Sequence, residues 1–218
     1  MAYSHSSLDM YDKCPKKFHY IKVTKEVEPG TSEHLEYGNK IHKCISDYLS
    51  GLSGEIMDDL QNKKEILDLI RNKVHGGEHF YEEQVCLDKD LNRVDWFSKQ
   101  AWMRGILDVF IDLGEEGVVL DWKTGKQRDG DHQLLLSAAL VMAIRPKIKL
   151  VRTGFVWLGP NTITPRKFLR MQLPWMWEVI MGKVNSVEES IREDTWIAKP
   201  SYLCRYCEAY DICKDRQE

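Results

Sequence analysis

Between Arg104 and Gly125 the sequence sets down two apolar segments of period two, Arg104-Gly-Ile-Leu-Asp-Val-Phe-Ile-Asp-Leu113 and Val118-Val-Leu-Asp-Trp-Lys-Thr-Gly125, joined by Gly114-Glu-Glu-Gly117. Such alternation around a glycine turn reads as a strand hairpin. Residues two apart on a strand share a face. Gly105, Leu107, Val109, Ile111 and Leu113 therefore form one continuous apolar face, with Arg104, Asp108 and Asp112 on the other. Asp121 and Lys123 point the same way as Val119, and Val118, Leu120 and Trp122 point away. The hairpin register brings Asp108 near Asp121. Two close, buried carboxylates repel, and a shared cation is the usual remedy.

The rest of the chain has to cover this hairpin. Ser4–Cys14 reads as a short helix with Ser4 as N-cap, stopped at Cys14-Pro15. Leu35, Gly38, His42, Ile45 and Leu49 recur at helical spacing, which predicts an amphipathic helix over 34–50. A second helix is expected over 55–74. Strands are expected at 83–87, 101–113, 118–122, 150–158 and 162–171. Residues 131–144 fit a buried helix, and 173–193 a long one with Pro174 in its first turn. This order gives a central mixed sheet flanked by helices, in the α/β to α+β range. The 218 residues suit a single domain. Its expected parts are an N-terminal helical part (1–80), a core (81–172) and a C-terminal helix with a cysteine-rich tail (173–218).

An apolar content of 43% can build a core, and 30% charged residues favour solubility. No apolar run of eighteen residues exists, so no membrane helix is expected. The first residues lack the basic-then-apolar pattern of a signal peptide. A cytoplasmic protein is the expectation, and there clustered cysteines bind metal more often than they form disulfides. The net charge of -3 argues against a generally basic nucleic-acid coat. Two segments are locally basic: Lys13–Lys25 carries five lysines and no acid, and Arg145–Arg170 carries seven basic residues and no acid. They read either as ordinary surface or as a phosphate-tracking groove. No Gly-x4-Gly-Lys-Ser/Thr occurs, which excludes a nucleotide-driven motor of that type.

The carboxylates suit hard cations such as Mg²⁺ or Mn²⁺. A cation there would acidify a water and neutralise charge on a phosphodiester under attack, and Lys123 could orient that water or hold the phosphate. Asp-x-Lys alone is common, and a surface ion pair is its bland reading. His42 lies beside the apolar stripe of its helix and is a reasonable third ligand, although an inward histidine is more often a satisfied core residue. Gly38, one turn earlier, would leave room for close approach. Glu83, at a strand start, is a further candidate acid. Cys204-x2-Cys207-x5-Cys213 has ligand spacing and needs a fourth thiolate, and spacing alone leaves zinc and an iron–sulfur cluster both open. Cys44 and Cys86 read as core residues. Trp96, Trp102, Trp175, Trp177, Tyr202, Tyr206 and Tyr210 could stack on unpaired bases, though such rings more often pack internally.

Taken together, Ser7-Leu-Asp-Met-Tyr-Asp-Lys-Cys-Pro-Lys-Lys-Phe18, Gly38-Asn-Lys-Ile-His42, Arg104-Gly-Ile-Leu-Asp108, Leu120-Asp-Trp-Lys-Thr-Gly125 and Cys204-Arg-Tyr-Cys207…Cys213 resemble the RecB-like branch of the PD-(D/E)XK nucleases. That branch includes CRISPR-associated iron–sulfur exonucleases, phage exonucleases and the nuclease domains of helicase-nucleases. The resemblance implies a restriction-endonuclease-like fold and a metal-dependent DNA exonuclease acting at ends or on single strands. It implies Mg²⁺ or Mn²⁺ held by His42, Asp108, Asp121 and the backbone carbonyl of Trp122, with Lys123 as catalytic lysine beside Asp108 and Asp121. It further implies a 4Fe–4S cluster on Cys14, Cys204, Cys207 and Cys213, with structural Zn²⁺ as the alternative. Gln133 matches the start of the family's Gln-x-x-x-Tyr motif, which helps position DNA; the tyrosine position holds Ser137. Lys16, Lys17, Arg145 and Arg152 are candidate contacts to the DNA backbone. Recombination or CRISPR-adaptation proteins are partners implied by the resemblance alone, and no membrane is implied. The competing class is a DNA- or protein-binding adaptor whose metal site is idle; an iron–sulfur redox carrier fits poorly, since nothing else resembles a donor or acceptor site.

Overall fold

The computed structural model describes residues 1–73, 76–127 and 130–217. They form two compact units: Met1–Ala2 with Glu33–Trp177, and Tyr3–Ser32 with Glu178–Glu218. Of the helices expected in the N-terminal part, those over 34–50 and 55–74 thus belong to the unit that holds the sheet, and the one at Ser4–Cys14 to the other.

In the larger unit, strands β1 (Glu78–Leu87), β2 (Met103–Asp112), β3 (Glu116–Lys123), β4 (Leu150–Trp157) and β5 (Thr162–Leu169) lie in the order β1-β2-β3-β4-β5. All pairings are antiparallel except β3 with β4, which run parallel. A parallel pair needs a crossover, and helix α5 (His132–Ile144) supplies it. Its residues Leu134–Met142 are all buried, as its composition predicts. Arg170 donates to the carbonyls of Met142, Arg145 and Ile148, satisfying the open C-terminal end of α5 and the turn after it.

On the opposite face, helix α3 (Glu33–Leu49) and helix α4 (Lys64–Arg71) build one core cluster with the sheet. Ile41, Ile45, Tyr48 and Leu49 from α3 and Leu67 and Ile70 from α4 meet Val109, Ile111, Trp122 and Val156. The buried stripe of α3 keeps the expected Ile45 and Leu49 and adds Ile41 and Tyr48, whereas Leu35 is exposed, because the first two turns of α3 lie outside the packed cluster. The helix expected over 55–74 is a 3₁₀ turn (Asp58–Lys63) followed by α4, and residue 74 lies outside the described residues. The tighter turn aligns Leu60 and Lys63, three apart, on one buried side. β1 begins at Glu78, five residues earlier than expected.

The apolar face expected to run unbroken from Gly105 to Leu113 is split. A Cβ on Gly105 would stand 2.5 Å from Leu140 Cδ1 of α5, whereas Val109 and Ile111 belong to the α3–α4 cluster. Phe110 is the residue that faces the α5 side, near Gly117 and Val141. The change of side falls at Asp108. The β1–β2 ladder runs through Tyr81–Val109 and Glu83–Leu107 but skips Glu82 and Asp108 between them. Glu82 has φ +51°, a conformation that a non-glycine residue rarely adopts.

In the smaller unit, helix α1 (His5–Lys13) opens on a capping box in which Ser4 and Ser7 satisfy each other's backbone N–H groups. Cys14 is extended and separates α1 from helix α2 (Pro15–Phe18), where Pro15 restarts the helix at its first position. A π-helical turn (His19–Val23) follows. Helix α6 (Leu173–Glu193) begins in the larger unit and continues into the smaller. Phe18 is fully buried and stacks on Trp196. No helix among the described residues is long and apolar enough to cross a membrane.

We expect Gly105→Ala to cost about 1–3 kcal/mol by overpacking against Leu140. In urea unfolding, combining it with Leu140→Ala should give less than the sum of the single losses, whereas strict additivity would mean that the two positions do not meet.

Candidate active site

Three carboxylates stand abreast where the sheet changes side. Glu82 on β1 lies level with Asp108 on β2, and the β2–β3 ladder, which ends at Val109–Leu120, leaves Asp108 level with Asp121 on β3. Asp108 and Asp121 are both buried. Beyond the end of that ladder, the Trp122 N–H donates to Asp108 Oδ2 at 2.7 Å. The side chain thereby serves as the acceptor and is held in place. His42 of α3 approaches the same oxygen, its Nδ1 3.3 Å away. One ligand atom from each of His42, Glu82 and Asp108 lies within 4.8 Å of the others.

Asp121 stands beside this group with its own partners. Its Oδ1 accepts from Gln133 Nε2 of α5, and Lys123 Nζ is 2.6 Å from Oδ2. That ion pair lacks hydrogen-bond alignment, so buried Oδ2 has a charge beside it but no aligned donor. Gln133 Oε1 accepts from Lys123 Nζ at 2.9 Å, so one amide bridges acid and lysine. The lysine also stands over the Phe155 ring, 4.9 Å from its centre.

The charges perturb one another in a consistent way. Burial and then the Asp108 charge push the Asp121 carboxyl up from its usual value to about 6, against the pull of Lys123. Burial and Asp108 likewise raise Glu82. For His42, burial works toward a lower value, but the hydrogen bond and charge of Asp108, with Asp121 and Glu82, raise it overall. An acidic set that resists full ionisation and holds an imidazole suits a hard divalent cation. The donor set and the unaligned Asp121 Oδ2 fit such an ion. A polar cleft of about 360 Å³ opens beside it, lined by Asn39, His42, Lys43, Ser46, Asp47 and Glu82.

Several expectations change here. The further acid is Glu82, not Glu83, whose carboxylate pairs with Arg93 at 2.6 Å. Glu82 was hidden because its strand begins earlier than its polar start suggests and because the irregular backbone sets its direction. Gly38 is not required for clearance: a Cβ there would meet Thr124 Oγ1 at an ordinary 3.6 Å. Gln133 lies on the Asp121–Lys123 pair itself, and Ser137 at the tyrosine position is buried, its hydroxyl donating to the Gln133 carbonyl. Arg145 pairs with Asp112 over the Phe80 and Phe110 rings, and Arg152 pairs with Glu116. Their partners lie four and five residues along the strands from Asp108 and Asp121, roughly 13 and 17 Å away. Lys149 and Arg166 of the same basic segment pair with Glu115 and Asp131. Ordinary surface pairing therefore accounts for most of it.

In the smaller unit Cys14, Cys204, Cys207 and Cys213 line one cavity, with Lys17, Tyr20 and Tyr210. Lys16 pairs with Asp215 and Lys17 with Glu208, which fastens α2 to the tail around the thiols. Backbone N–H groups of Gln217 and Ser201 lower the Cys204 thiol, and burial raises that of Cys207. Cys86 is buried, as expected, and Cys44 is partly so.

The family model described as PD-(D/E)XK nuclease superfamily matches residues 74–214. The chain matches no curated protein. Among solved structures it resembles a candidate exonuclease from Eubacterium rectale, with TM-score 0.58 at 12% identity over 100% of this chain and 90% of that one. It also resembles the protein SSO0001, with TM-score 0.46 at 13% identity over 100% and 88%.

The raised Asp121 carboxyl has a consequence for stability. The metal-free fold prefers the protonated form, so this contribution is present below the usual carboxyl range and is lost as pH rises through about 6. In EDTA, Asp121→Asn should therefore be more stable than the parent at pH 8, on the order of 2 kcal/mol. The two should converge near pH 4; an equal offset at both pH values in denaturant titrations would count against it.

Proposed function

We propose that this chain, which belongs to the PD-(D/E)XK nuclease superfamily, is a Mg²⁺- or Mn²⁺-dependent DNA exonuclease acting at ends or on single strands. The observation that carries the reading is the convergence of His42, Glu82 and Asp108 beside the Asp121–Lys123 pair. His42, Glu82 and Asp108 would hold the ion, joined by Asp121 beside them, with the Trp122 carbonyl available one residue past Asp121. When bound, the ion supplies positive charge that makes a water more acidic and neutralises the phosphodiester.

The remaining work falls to the chain's own groups. Asp108 is fixed by the Trp122 amide, so its oxygens are set before substrate arrives. Lys123 is held by Asp121 and Gln133 and offers its ammonium to the attacking water or to a phosphate oxygen. Gln133 keeps the acid and the lysine in register. The buried setting strengthens each of these interactions relative to water.

The four cysteines support a 4Fe–4S cluster in the smaller unit, with zinc as the alternative. Its role is a staple: joining residue 14 to residues 204–213 closes most of the chain into one loop and restricts the unfolded state.

On end-labelled and circular DNA with Mn²⁺, the parent should shorten ends, and Asp121→Ala or Lys123→Ala should lower the rate a hundredfold or more. Binding without cleavage by fresh anaerobic protein would instead favour the idle adaptor. Calorimetry offers a second check. Glu82→Gln should weaken Mn²⁺ binding at least tenfold and Glu83→Gln should leave it unchanged; the reverse order would remove Glu82 from the ligand set. Cys204→Ala should lose visible iron–sulfur absorbance and thermal stability together. A parent that purifies colourless with one zinc per chain would transfer the site to zinc.

A further inference from the structure

We propose that the exposed face of β1 and β2 next to the carboxylates is a track for an unpaired nucleic-acid strand, ending on an aromatic platform made by Trp96 and Phe97. The proposal rests on the nuclease reading and names the form of substrate that the site receives.

Side chains opposed across an antiparallel pair share a face. One row past Glu82 and Asp108, Gln84 stands opposite Ile106; one row further, where the exposed part of the face ends, buried Cys86 stands opposite half-buried Arg104. The rows are roughly 7 Å apart. Gln84 is exposed and Ile106 is 45% exposed, where β2 has left β3 and pairs with the edge strand β1 alone, on a strand whose other face is closed at Gly105 by Leu140 of α5. At the third row the Arg104 guanidinium lies 5.2 Å over the Trp96 ring. Its Nε is buried without a hydrogen-bond partner, and among the described residues no carboxylate pairs with it. Phe97, the next residue, is 89% exposed.

Single exposed apolar side chains are common and need no explanation. Here an exposed isoleucine and, one row further from the hydrolytic group, an indole carrying a cation that no described carboxylate pairs with are accompanied by the exposed phenyl ring of the residue next to the indole. Flat rings bind the faces of bases, and a guanidinium binds phosphate or stacks with them. Those base faces are covered in a duplex, so the chemistry selects a single strand.

Binding of labelled dT20 in EDTA, followed by anisotropy, separates this surface from the chemistry. Phe97→Ala should weaken dT20 binding between fivefold and a hundredfold, the range for one stacked base. Phe97→Trp should restore it, and a blunt hairpin duplex should be unaffected. Arg104→Gln should lower the slope of log affinity against log salt by about 0.7, one phosphate contact on a single strand. Hydrolysis of bis(p-nitrophenyl) phosphate with Mn²⁺ should be the same in Phe97→Ala as in the parent. Unchanged dT20 affinity in Phe97→Ala, with an unchanged salt slope in Arg104→Gln, overturns the track even if the parent cuts DNA. A parent that hydrolyses neither substrate sinks the nuclease reading, while the binding measurements still decide the track.

Discussion

Everything at the centre of this protein follows from mutual repulsion among Glu82, Asp108 and Asp121, level with one another on three adjacent strands. Carboxylates buried at this spacing cannot all ionise without help. The help comes from four directions: the Trp122 amide and the His42 imidazole at Asp108, and Lys123 and Gln133 at Asp121. A cation would complete the set. The core exists in part to hold these groups against their own charge. Cluster residues of α3 fix the helix that carries His42, and buried α5 fixes Gln133.

The irregularity at Glu82 and Asp108 belongs to the same account. A regular strand would continue its alternation and send Asp108 squarely to one face. Because the ladder skips this pair and the chain changes side here, the carboxylates sit where α3 from one face and α5 from the other can both reach them. A positive φ at Glu82 is a local cost of order 1 kcal/mol or more, and it persists because paired strand on both sides leaves the backbone no alternative. The change of side also leaves Ile106 and Gln84 uncovered, since α5 closes only the other face at that end.

The two units answer different problems. The larger one buries a charged group within a well-packed sheet. The smaller one is built from 30 N-terminal residues, most of α6 and the C-terminal tail, and its N-terminal helices are short. It buries Leu8, Phe18, Ile21, Val184 and Val187, and a cavity ringed by four thiols lies beside its ion pairs, so a metal or cluster bound there would add directly to the stability of this unit.

By itself the sequence indicated a mixed sheet flanked by helices, the hairpin of β2 and β3, the buried helix that is α5, the capping of α1 at Ser4, and the candidates His42, Asp108, Asp121, Lys123 and Gln133 that the fold brings together. These were legible because period-two and period-3.6 apolar patterns, turn glycines and motif spacing are local properties. Tertiary structure alone decided that Glu82 rather than Glu83 joins the site, that Gln133 bridges the acid and the lysine, that Arg145 and Arg152 pair with Asp112 and Glu116, and that Ile41 and Tyr48 join the buried stripe of α3. Each of these depends on which side chains meet across strands and between helices. Alternation predicts that meeting only while the backbone stays regular, and at Asp108 it does not.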